Sequence, residues 1–311
     1  ARRMSRIYTL TLNPAVDREL TVPEIEFDTV LRASAWRVDF GGKGFNVSRM
    51  LQSLGTPSTA LGFAGGKSGE LLKDGLESLG IATDFVWVKG ETRTNVSIVP
   101  DAHDCYIKAN EPGPTISAEE QDTMLEKVRQ LSQSGDWWVL AGSLAPGIPT
   151  NFYAQLITII QATGAKVILD TSGEALEKGA MAKPFLAKPN DIELEKLTGL
   201  AVNNQAQITV AAQALQKMGV ANVVVSLGKK GALLVSPDED GLVESPVIEE
   251  RNPIGAGDSM VGGLTWGLSQ ELPLAEALCW GIACGAAAAS LSGTGVGSRE
   301  LVEELHSKIN N

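Results

Sequence analysis

The chain has 311 residues, of which 43% are hydrophobic and 20% are charged, a balance that is ordinary for a globular protein. Acidic residues outnumber basic ones by 37 to 26, and the net charge of −11 argues against nucleic acid or an anionic membrane as a partner. The three cysteines (Cys105, Cys279 and Cys284) have no metal-binding spacing, so we expect neither a disulfide framework nor a structural zinc site, and we expect a cytoplasmic location.

Strand-like and helix-like segments alternate along most of the chain. The predicted strands are 6–12, 59–63, 95–100, 137–141, 166–170, 185–188, 223–227 and 232–235. The predicted helices are 46–54, 70–79, 118–133, 151–163, 191–197, 208–218, 259–268 and 274–291. This alternation predicts an α/β fold in which helices cover both faces of a parallel sheet. Several strands are almost entirely apolar, which is typical when both faces are buried.

Two segments, 14–40 and 92–110, have a different pattern, because polar and apolar residues alternate there with few helical signals. Such alternation favours strands that are buried on one side only. We expect these segments to form a small β layer that projects from the main sheet. With no long linker or repeat elsewhere, residues 1–311 are predicted to form one α/β domain with a β lid.

Polar residues follow five of the predicted strands. In an open parallel sheet, ligands bind beyond the carboxyl ends of the strands, so these junctions mark the expected site. The junction residues are Asn13, Ser143, Asp170, Lys188 and Ser226. One polar junction means little, but five together indicate that this edge of the sheet binds a ligand.

A glycine-rich turn at 41–44 opens the first predicted helix and contains Lys43. A helix N-terminus offers unpaired N–H groups and a partial positive charge, which favour an anion, and Lys43 would add a full charge. A plain helix-entry turn explains the same residues equally well.

The stretch 252–264 places Gly255, Ala256 and Gly257 directly before Asp258. If a helix begins at Ser259, the N–H groups of the three small residues can converge on an anion. Asp258 could then orient and deprotonate an attacking hydroxyl group. The alternative is that Asp258 only caps the helix N-terminus.

Four motifs occur along the chain in a characteristic order: Thr-Leu-Asn-Pro-Ala-Val-Asp at 11–17, Gly-Gly-Lys-Gly-Phe-Asn at 41–46, Lys-Pro-Asn-x-x-Glu at 188–193, and Gly-Ala-Gly-Asp-Ser at 255–259. Together they resemble the ribokinase-like, or phosphofructokinase B (pfkB), family of carbohydrate kinases, essentially from end to end. Within it, 13–17, 42–44 and Thr-Arg-Thr-Asn at 92–95 resemble the branch that includes 1-phosphofructokinases and tagatose-6-phosphate kinases.

The resemblance implies a three-layer α/β/α sandwich with a mostly parallel central sheet and a small β-sheet lid. It implies ATP-dependent phosphorylation of a ketohexose phosphate, with Mg²⁺ as cofactor and D-fructose 1-phosphate as the favoured acceptor. Tagatose 6-phosphate and fructose 6-phosphate are the nearer alternatives, and a non-catalytic sugar-phosphate or nucleotide-binding regulator is the farther one. A homodimer formed through the β lid is also implied.

The resemblance also assigns roles to individual residues. For catalysis, Asp258 would be the base and Gly255, Ala256 and Gly257 the anion hole. For the acceptor sugar, Asp17, Gly42 and Asn46 would hold hydroxyls, and Lys43, Arg93, Asn13 and Ser143 would hold the existing phosphate. For the nucleotide, the implied residues are Lys188, Asn190, Ser226, Gly228, Gly231, Ala283 and Gly285. Asn190 and Glu193 would act on Mg²⁺ through water.

Overall fold

The computed structural model describes residues 3–102 and 105–309. His103 and Asp104, which fall inside the predicted lid segment 92–110, therefore lie outside the described residues. No helix of the described ranges is both long and apolar enough to cross a membrane.

Strands and helices alternate as the sequence pattern predicts. The strands are β1 (Ile7–Thr11), β2 (Ala15–Val22), β3 (Ala35–Gly41), β4 (Thr59–Ala64), β5 (Ala82–Thr83), β6 (Val86–Trp87), β7 (Arg93–Pro100), β8 (Ile107–Asn110), β9 (Trp137–Ala141), β10 (Lys166–Asp170), β11 (Leu186–Ala187), β12 (Asn222–Ser226), β13 (Ala232–Val235) and β14 (Asp240–Val243). The α-helices are α1 (Lys43–Ser53), α2 (Gly66–Ser78), α3 (Ala118–Leu131), α4 (Phe152–Ala162), α5 (Gly173–Met181), α6 (Asp191–Thr198), α7 (Gln205–Met218), α8 (Ala256–Ser269), α9 (Leu274–Ala289) and α10 (Arg299–Ser307).

The central sheet has the order β14-β13-β12-β11-β10-β9-β1-β4-β5, with β6 paired to β4. Its strands run parallel from β12 to β5, and β13 and β14 form an antiparallel edge. The parallel strands therefore end at one edge, where the polar junction residues come together. This confirms the predicted α/β fold with a mostly parallel sheet.

Helices bury the sheet on both faces. In β9, Trp138 and Leu140 point into a core shared with α3, α4, α5, α6 and α7, whereas Trp137 and Val139 point into a core shared with α1, α8, α9 and α10. Successive side chains of a strand alternate between faces, so an apolar strand supplies both cores. This is why the middle positions of the parallel strands are almost all apolar; the exception in β1 is Thr9, whose hydroxyl is hydrogen-bonded to Ser48.

The two segments predicted as a lid form a separate four-stranded sheet with the order β3-β2-β7-β8. β2 and β7 are parallel neighbours, and the two outer pairs are antiparallel. Phe40 at the end of β3 packs against Gly75 of α2, where a Cβ on the glycine would lie 2.0 Å from the ring. The lid sheet is thus anchored on α2 through a close contact that only glycine permits.

The helix boundaries differ from the predicted ones mainly at the helix starts, which lie three or four residues earlier for α1, α2, α7 and α8. α1 begins at Lys43 and α2 at Gly66, earlier than the predicted 46 and 70, because first-turn residues need no apolar periodicity. α5 and α10 were not predicted. The strand predicted at 185–188 is reduced to β11, which leaves Lys188 beyond the strand end.

Candidate active site

The start of α1 fixes Lys43 at the edge of the sheet. The Gly44 N–H donates to Thr11 Oγ1 at 3.1 Å, which ties the helix to the end of β1. A Cβ on Gly44 would lie 2.6 Å from that same oxygen. The glycine-rich turn is therefore required for close packing on β1, and Lys43 is the first residue of the helix that follows.

The start of α8 differs from the sequence expectation. The helix begins at Ala256 and its N-cap is Gly255, in the left-handed region at φ 83°. Asp258 is thus the third helical residue, so the predicted start at Ser259 and the alternative of Asp258 as N-cap are both wrong. The Ala256 N–H donates to Pro253 O at 3.2 Å within the turn, so of the three N–H groups expected to face an anion this one is already used.

Asp258 is buried, with 6% of its surface exposed, and it contacts two residues of α1. Asn46 Nδ2 donates to Asp258 Oδ2 at 2.9 Å, and Lys43 Nζ lies 2.9 Å from Asp258 Oδ1 in an ion pair. Oδ1 has this charge partner but no hydrogen bond within the described residues. The carboxylate is therefore oriented on one oxygen and electrostatically balanced on the other.

Two lysines and two carboxylates alternate across the end of the sheet. Lys43 Nζ lies 3.4 Å from Asp170 Oδ2, and Lys188 Nζ lies 3.8 Å from Asp170 Oδ1. Burial by itself would lower the pKa of Lys43, but the charges of Asp170 and Asp258 outweigh it and raise the pKa above its ordinary value. Lys43 is therefore a permanent cation at this position.

A cavity of about 280 Å³, here called the lid cavity, lies between the lid sheet and the start of α1. All seven residues predicted to hold the acceptor sugar line it: Asn13, Asp17, Gly42, Lys43, Asn46, Arg93 and Ser143. Four further polar residues line it that the sequence analysis did not assign: Thr11, Asn95, Lys108 and Asn110. Asn95 belongs to the Thr-Arg-Thr-Asn motif, so its position was visible in the sequence, whereas Lys108 and Asn110 carried no signal beyond strand alternation.

Asp17 is the carboxylate of the lid cavity. It accepts a hydrogen bond from Asn95 Nδ2 at 3.1 Å, and a Cβ on Gly41 would lie 2.2 Å from its Oδ2. Burial raises the pKa of Asp17, although Asn95, Lys108 and Arg93 act in the opposite direction. Arg93 is held by Nη2 donating to Asn13 O at 2.9 Å, and its Nε is buried with no hydrogen-bond partner among the described residues.

A second cavity, of about 480 Å³ and here called the α9 cavity, lies beside α8 and α9. Five of the predicted nucleotide residues line it: Asn190, Ser226, Gly228, Gly231 and Gly285. Ala283 does not line it, because it points into the core between α8 and α9 and is fully buried. The α9 face of the cavity is made by Ile282, Gly285, Ala286 and Ala289, which lie on successive turns of the helix.

Lys188 lies beneath the wall of the α9 cavity. It is 5% exposed, its Nζ donates to Ser226 Oγ at 3.3 Å, and a Cβ on Gly257 would lie 3.8 Å from its Nζ. Ser226 and Gly257 both line the α9 cavity, so the ammonium group of Lys188 is adjacent to the first turn of α8.

Asn190 and Glu193 form a reciprocal capping box at the start of α6. The Glu193 N–H donates to Asn190 Oδ1 at 2.7 Å, and the Asn190 N–H donates to Glu193 Oε1 at 3.0 Å. The sequence analysis did not predict this capping box, although an Asn followed three residues later by a Glu is a sequence signal for one. Oε2 of Glu193 takes no part in the box.

Asp258 lies between residues that line the two cavities, although it lines neither of them itself. Gly257 lines the α9 cavity, Lys43 and Asn46 line the lid cavity, and the last two contact the Asp258 carboxylate. The buried carboxylate of Asp258 is therefore flanked by residues of both cavities. Such an arrangement suits direct transfer between two ligands.

The sequence model that describes the pfkB family of carbohydrate kinases matches residues 10–301 of this chain. The 1-phosphofructokinase of Bacillus subtilis is 38% identical, over 96% of this chain and 97% of that protein. The tagatose-6-phosphate kinase of Staphylococcus epidermidis is 35% identical, over 85% of this chain and 86% of that protein. The crystal structure of phosphofructokinase-2 from Escherichia coli in complex with fructose-6-phosphate is similar at a TM-score of 0.90 and 34% identity, covering 98% of this chain and 99% of the other.

Proposed function

The chain belongs to the pfkB family of carbohydrate kinases, and from this premise we propose that it transfers the γ-phosphoryl group of ATP to the free primary hydroxyl of D-fructose 1-phosphate. The products are fructose 1,6-bisphosphate and ADP. Several relatives named 1-phosphofructokinase are 34% to 38% identical over most of the chain. The observation that carries the mechanism is the position of Asp258, which follows Gly257 of the α9 cavity and contacts Lys43 and Asn46 of the lid cavity.

Asp258 takes the proton of the acceptor hydroxyl as that oxygen attacks phosphorus. The hydrogen bond from Asn46 to Oδ2 orients the carboxylate, and Oδ1, which accepts no hydrogen bond within the described residues, is available for the proton. Proton transfer to a positioned carboxylate contributes about 10²- to 10⁴-fold to a rate. Lys43 stays protonated, so it is a source of positive charge and not a base.

Phosphoryl transfer needs positioning and charge more than covalent chemistry from the protein. Lys43 and Lys188 flank Asp258 and the first turn of α8, where N–H groups that lack intrahelical partners point outward. These groups would stabilise the negative charge on the transferring phosphoryl group. ATP would occupy the α9 cavity, with its phosphates toward Gly257 and its base against α9.

The phosphate already on the sugar would bind at Arg93 and Lys108. In the described ranges, these two cations of the lid cavity have no carboxylate within ion-pair distance, whereas Lys43 is engaged by Asp170 and Asp258. The planar guanidinium of Arg93 suits paired phosphate oxygens. This arrangement would direct the bound phosphate toward the lid and the free hydroxyl toward Asp258, with Asp17 available for a sugar hydroxyl.

Mg²⁺ is part of the proposal, and the residues present fit it. The described residues contain no group of three or more His, Cys, Asp or Glu side chains that could hold a metal ion. Mg²⁺ commonly keeps several waters and binds through substrate phosphates, so a complete protein cage is not needed. Oε2 of Glu193 would contact a metal-bound water, and the ion would neutralise charge on the ATP phosphates.

The test is ADP release with Mg-ATP and, separately, fructose 1-phosphate, fructose 6-phosphate and tagatose 6-phosphate. A kcat/KM for fructose 1-phosphate about 100-fold above the others, or about 2.7 kcal/mol of transition-state discrimination, is expected. A preference for either 6-phosphate would keep the mechanism and change the acceptor. Absence of turnover with all three would favour a different sugar or the non-catalytic regulator.

We also propose a homodimer that forms through the lid sheet. The lid exposes the apolar side chains of Phe27, Val30, Trp36 and Tyr106, and Trp36 on β3 is 72% exposed. Exposed aromatic residues are enriched at protein interfaces. Light scattering should give a dimer for the wild type and a smaller mass for Trp36→Glu, and a monomeric wild type would contradict the proposal. The cytoplasmic location stays a prediction from the cysteine content.

A further inference from the structure

Asp170 is a buried acid to which the proposed mechanism gives no role. It is the last residue of β10, it is 3% exposed, and it lines neither the lid cavity nor the α9 cavity. Its Oδ2 has no hydrogen bond within the described residues, although Lys43 lies at ion-pair distance. Burying a carboxylate costs free energy unless its charge is compensated. For Asp170, the compensating charges are those of Lys43 and Lys188.

The two lysines that Asp170 contacts belong to different parts of the site. Lys43 lines the lid cavity and pairs with Asp258, whereas Lys188 lies next to Gly257 of the α9 cavity. Within the described ranges, Asp170 is the carboxylate within ion-pair distance of both, at 3.4 Å and 3.8 Å. It therefore links the ammonium group on the acceptor side to the ammonium group on the donor side.

The backbone around Asp170 makes this link rigid. The Gly142 N–H donates to Asp170 O at 3.0 Å, and the Lys188 N–H donates to the neighbouring Leu169 O at 3.1 Å. These hydrogen bonds join β10 to β9 and to Lys188, which follows β11, at the carboxyl edge of the sheet. Side chains held by such rigid elements keep a more exact geometry than side chains on loops.

The charges also balance in a way that suits the reaction. Before transfer, the two lysines and the two carboxylates sum to zero. When Asp258 accepts the proton of the hydroxyl, its negative charge is lost, and the group gains a net positive charge beside the phosphoryl group. Without Asp170, Lys43 would pair with Asp258 alone, and the attraction that holds it between the two carboxylates would be lost.

We propose that Asp170 is a positioning residue, which holds the ammonium groups of Lys43 and Lys188 on either side of the path of phosphoryl transfer. It acts through the two lysines and does not touch the substrates. This inference rests on the proposed kinase mechanism, but not on which sugar phosphate is the acceptor.

The first test compares Asp170→Asn with Asp136→Asn in the full-length protein. Asp136 is also a fully buried acid, but it pairs with Arg3 at the opposite end of the sheet. Asp170→Asn should lower kcat about 100-fold with less than about 5-fold change in either KM, because misplaced groups cost rate more than affinity. Asp136→Asn should lower Tm and leave kcat, per folded molecule, within about 2-fold of the wild type.

The second test is a double-mutant cycle with Lys43→Met. If Asp170 acts through the lysines, Asp170→Asn should cost less than about 10-fold in kcat once Lys43 is gone. An undiminished effect in that background would assign Asp170 a direct role and overturn the proposal. A rise in the Mg²⁺ concentration for half-maximal activity, confined to Asp170→Asn, would also overturn it, because Asp170 would then act on the metal.

Asp170→Glu covers the case in which the amide variant does not fold. It keeps the charge but moves it by one methylene, so kcat should stay at least about 10-fold below the wild type. Wild-type turnover by Asp170→Glu or Asp170→Asn would refute the positioning role. All assays use the sugar phosphate that the wild-type enzyme turns over. A wrong acceptor assignment is therefore detected by the substrate preference of the wild type. A wrong role for Asp170 is detected only by the kcat values of its variants.

Discussion

The N-termini of α6 and α8 both border the α9 cavity, and in both helices the third residue is an acid. The two N-termini differ in how they are capped. α6 is closed by the reciprocal hydrogen bonds of Asn190 and Glu193. α8 begins at Ala256, its N-cap Gly255 provides no side-chain cap, and its acid, Asp258, contacts Lys43 and Asn46 of α1. A closed start satisfies its own N–H groups, whereas an open one keeps them for a ligand. The comparison teaches that an acid in the first turn can contact residues of another helix with both carboxylate oxygens only where it does not cap its own helix.

Of the substitutions at the two helix starts, Asp258→Asn should have the largest effect on kcat. The amide keeps the shape and the contact with Asn46 but cannot take the proton of the hydroxyl, so kcat should fall about 10³-fold. Binding of Mg-ATP, measured by calorimetry, should remain within a few fold of the wild-type affinity. Retained turnover would place the base elsewhere and remove the chemical distinction between the two helix starts.

Replacing Gly255 by Ala tests whether the open start of α8 is needed for rate. Gly255 at φ 83° and Gly199 at φ 70°, which ends α6, are both left-handed, and a Cβ on either meets nothing within 4 Å. Each alanine variant should lose roughly 1–2 kcal/mol of unfolding free energy from backbone strain. Only Gly255→Ala should also lower kcat, by about 10-fold, because it disturbs N–H groups aimed at the phosphoryl group. Equal kcat losses in both variants would indicate a general stability effect.

Asn190→Ala should show that the start of α6 is held by its cap. Loss of the cap should lower the free energy of unfolding by about 1 kcal/mol. Asn204→Ala is the matched control, because Asn204 caps α7 through Gln207 N at 2.9 Å and lies outside both cavities. Denaturant unfolding should give similar losses for the two variants, with a rise in KM for ATP in Asn190→Ala alone. A kcat loss as large as that of Asp258→Asn would mean that the cap is also catalytic.

Glu193→Gln should give the smallest and most specific effect. Gln retains the oxygen that accepts the Asn190 N–H, so the capping box and Tm should be preserved. The lost charge should raise the Mg²⁺ concentration for half-maximal activity several fold, on the order of the 10-fold or larger effects of outer-shell groups. An unchanged Mg²⁺ dependence, with a lowered Tm in Glu193→Ala, would make Glu193 a capping residue only.

Much of the site could be predicted from local sequence. Six of the seven predicted residues of the lid cavity belong to the motifs at 11–17, 41–46 and 92–95, to which the family resemblance assigned their roles, and Ser143 follows the end of β9. The family resemblance assigned Ala283 and Gly285 to the nucleotide, and the structure places only Gly285 in the lining of the α9 cavity, because Ala283 faces the core; in a helix so rich in Ala and Gly, apolar periodicity does not distinguish the two faces. Lys108 was missed because a lysine on an alternating strand has the pattern of an ordinary solvated residue.

The sequence by itself determined the alternation of strands and helices, the lid segments, the family and the residue types of the chemistry. These follow from periodicities and motifs that act over a few neighbours in the chain. Only the tertiary structure decided which acid contacts Lys43 and Asn46 of the lid cavity, which one caps a helix, and that Asp170 lies within ion-pair distance of both Lys43 and Lys188. Those relations join residues that are far apart in the chain, and burial sets their strength, so no local pattern encodes them.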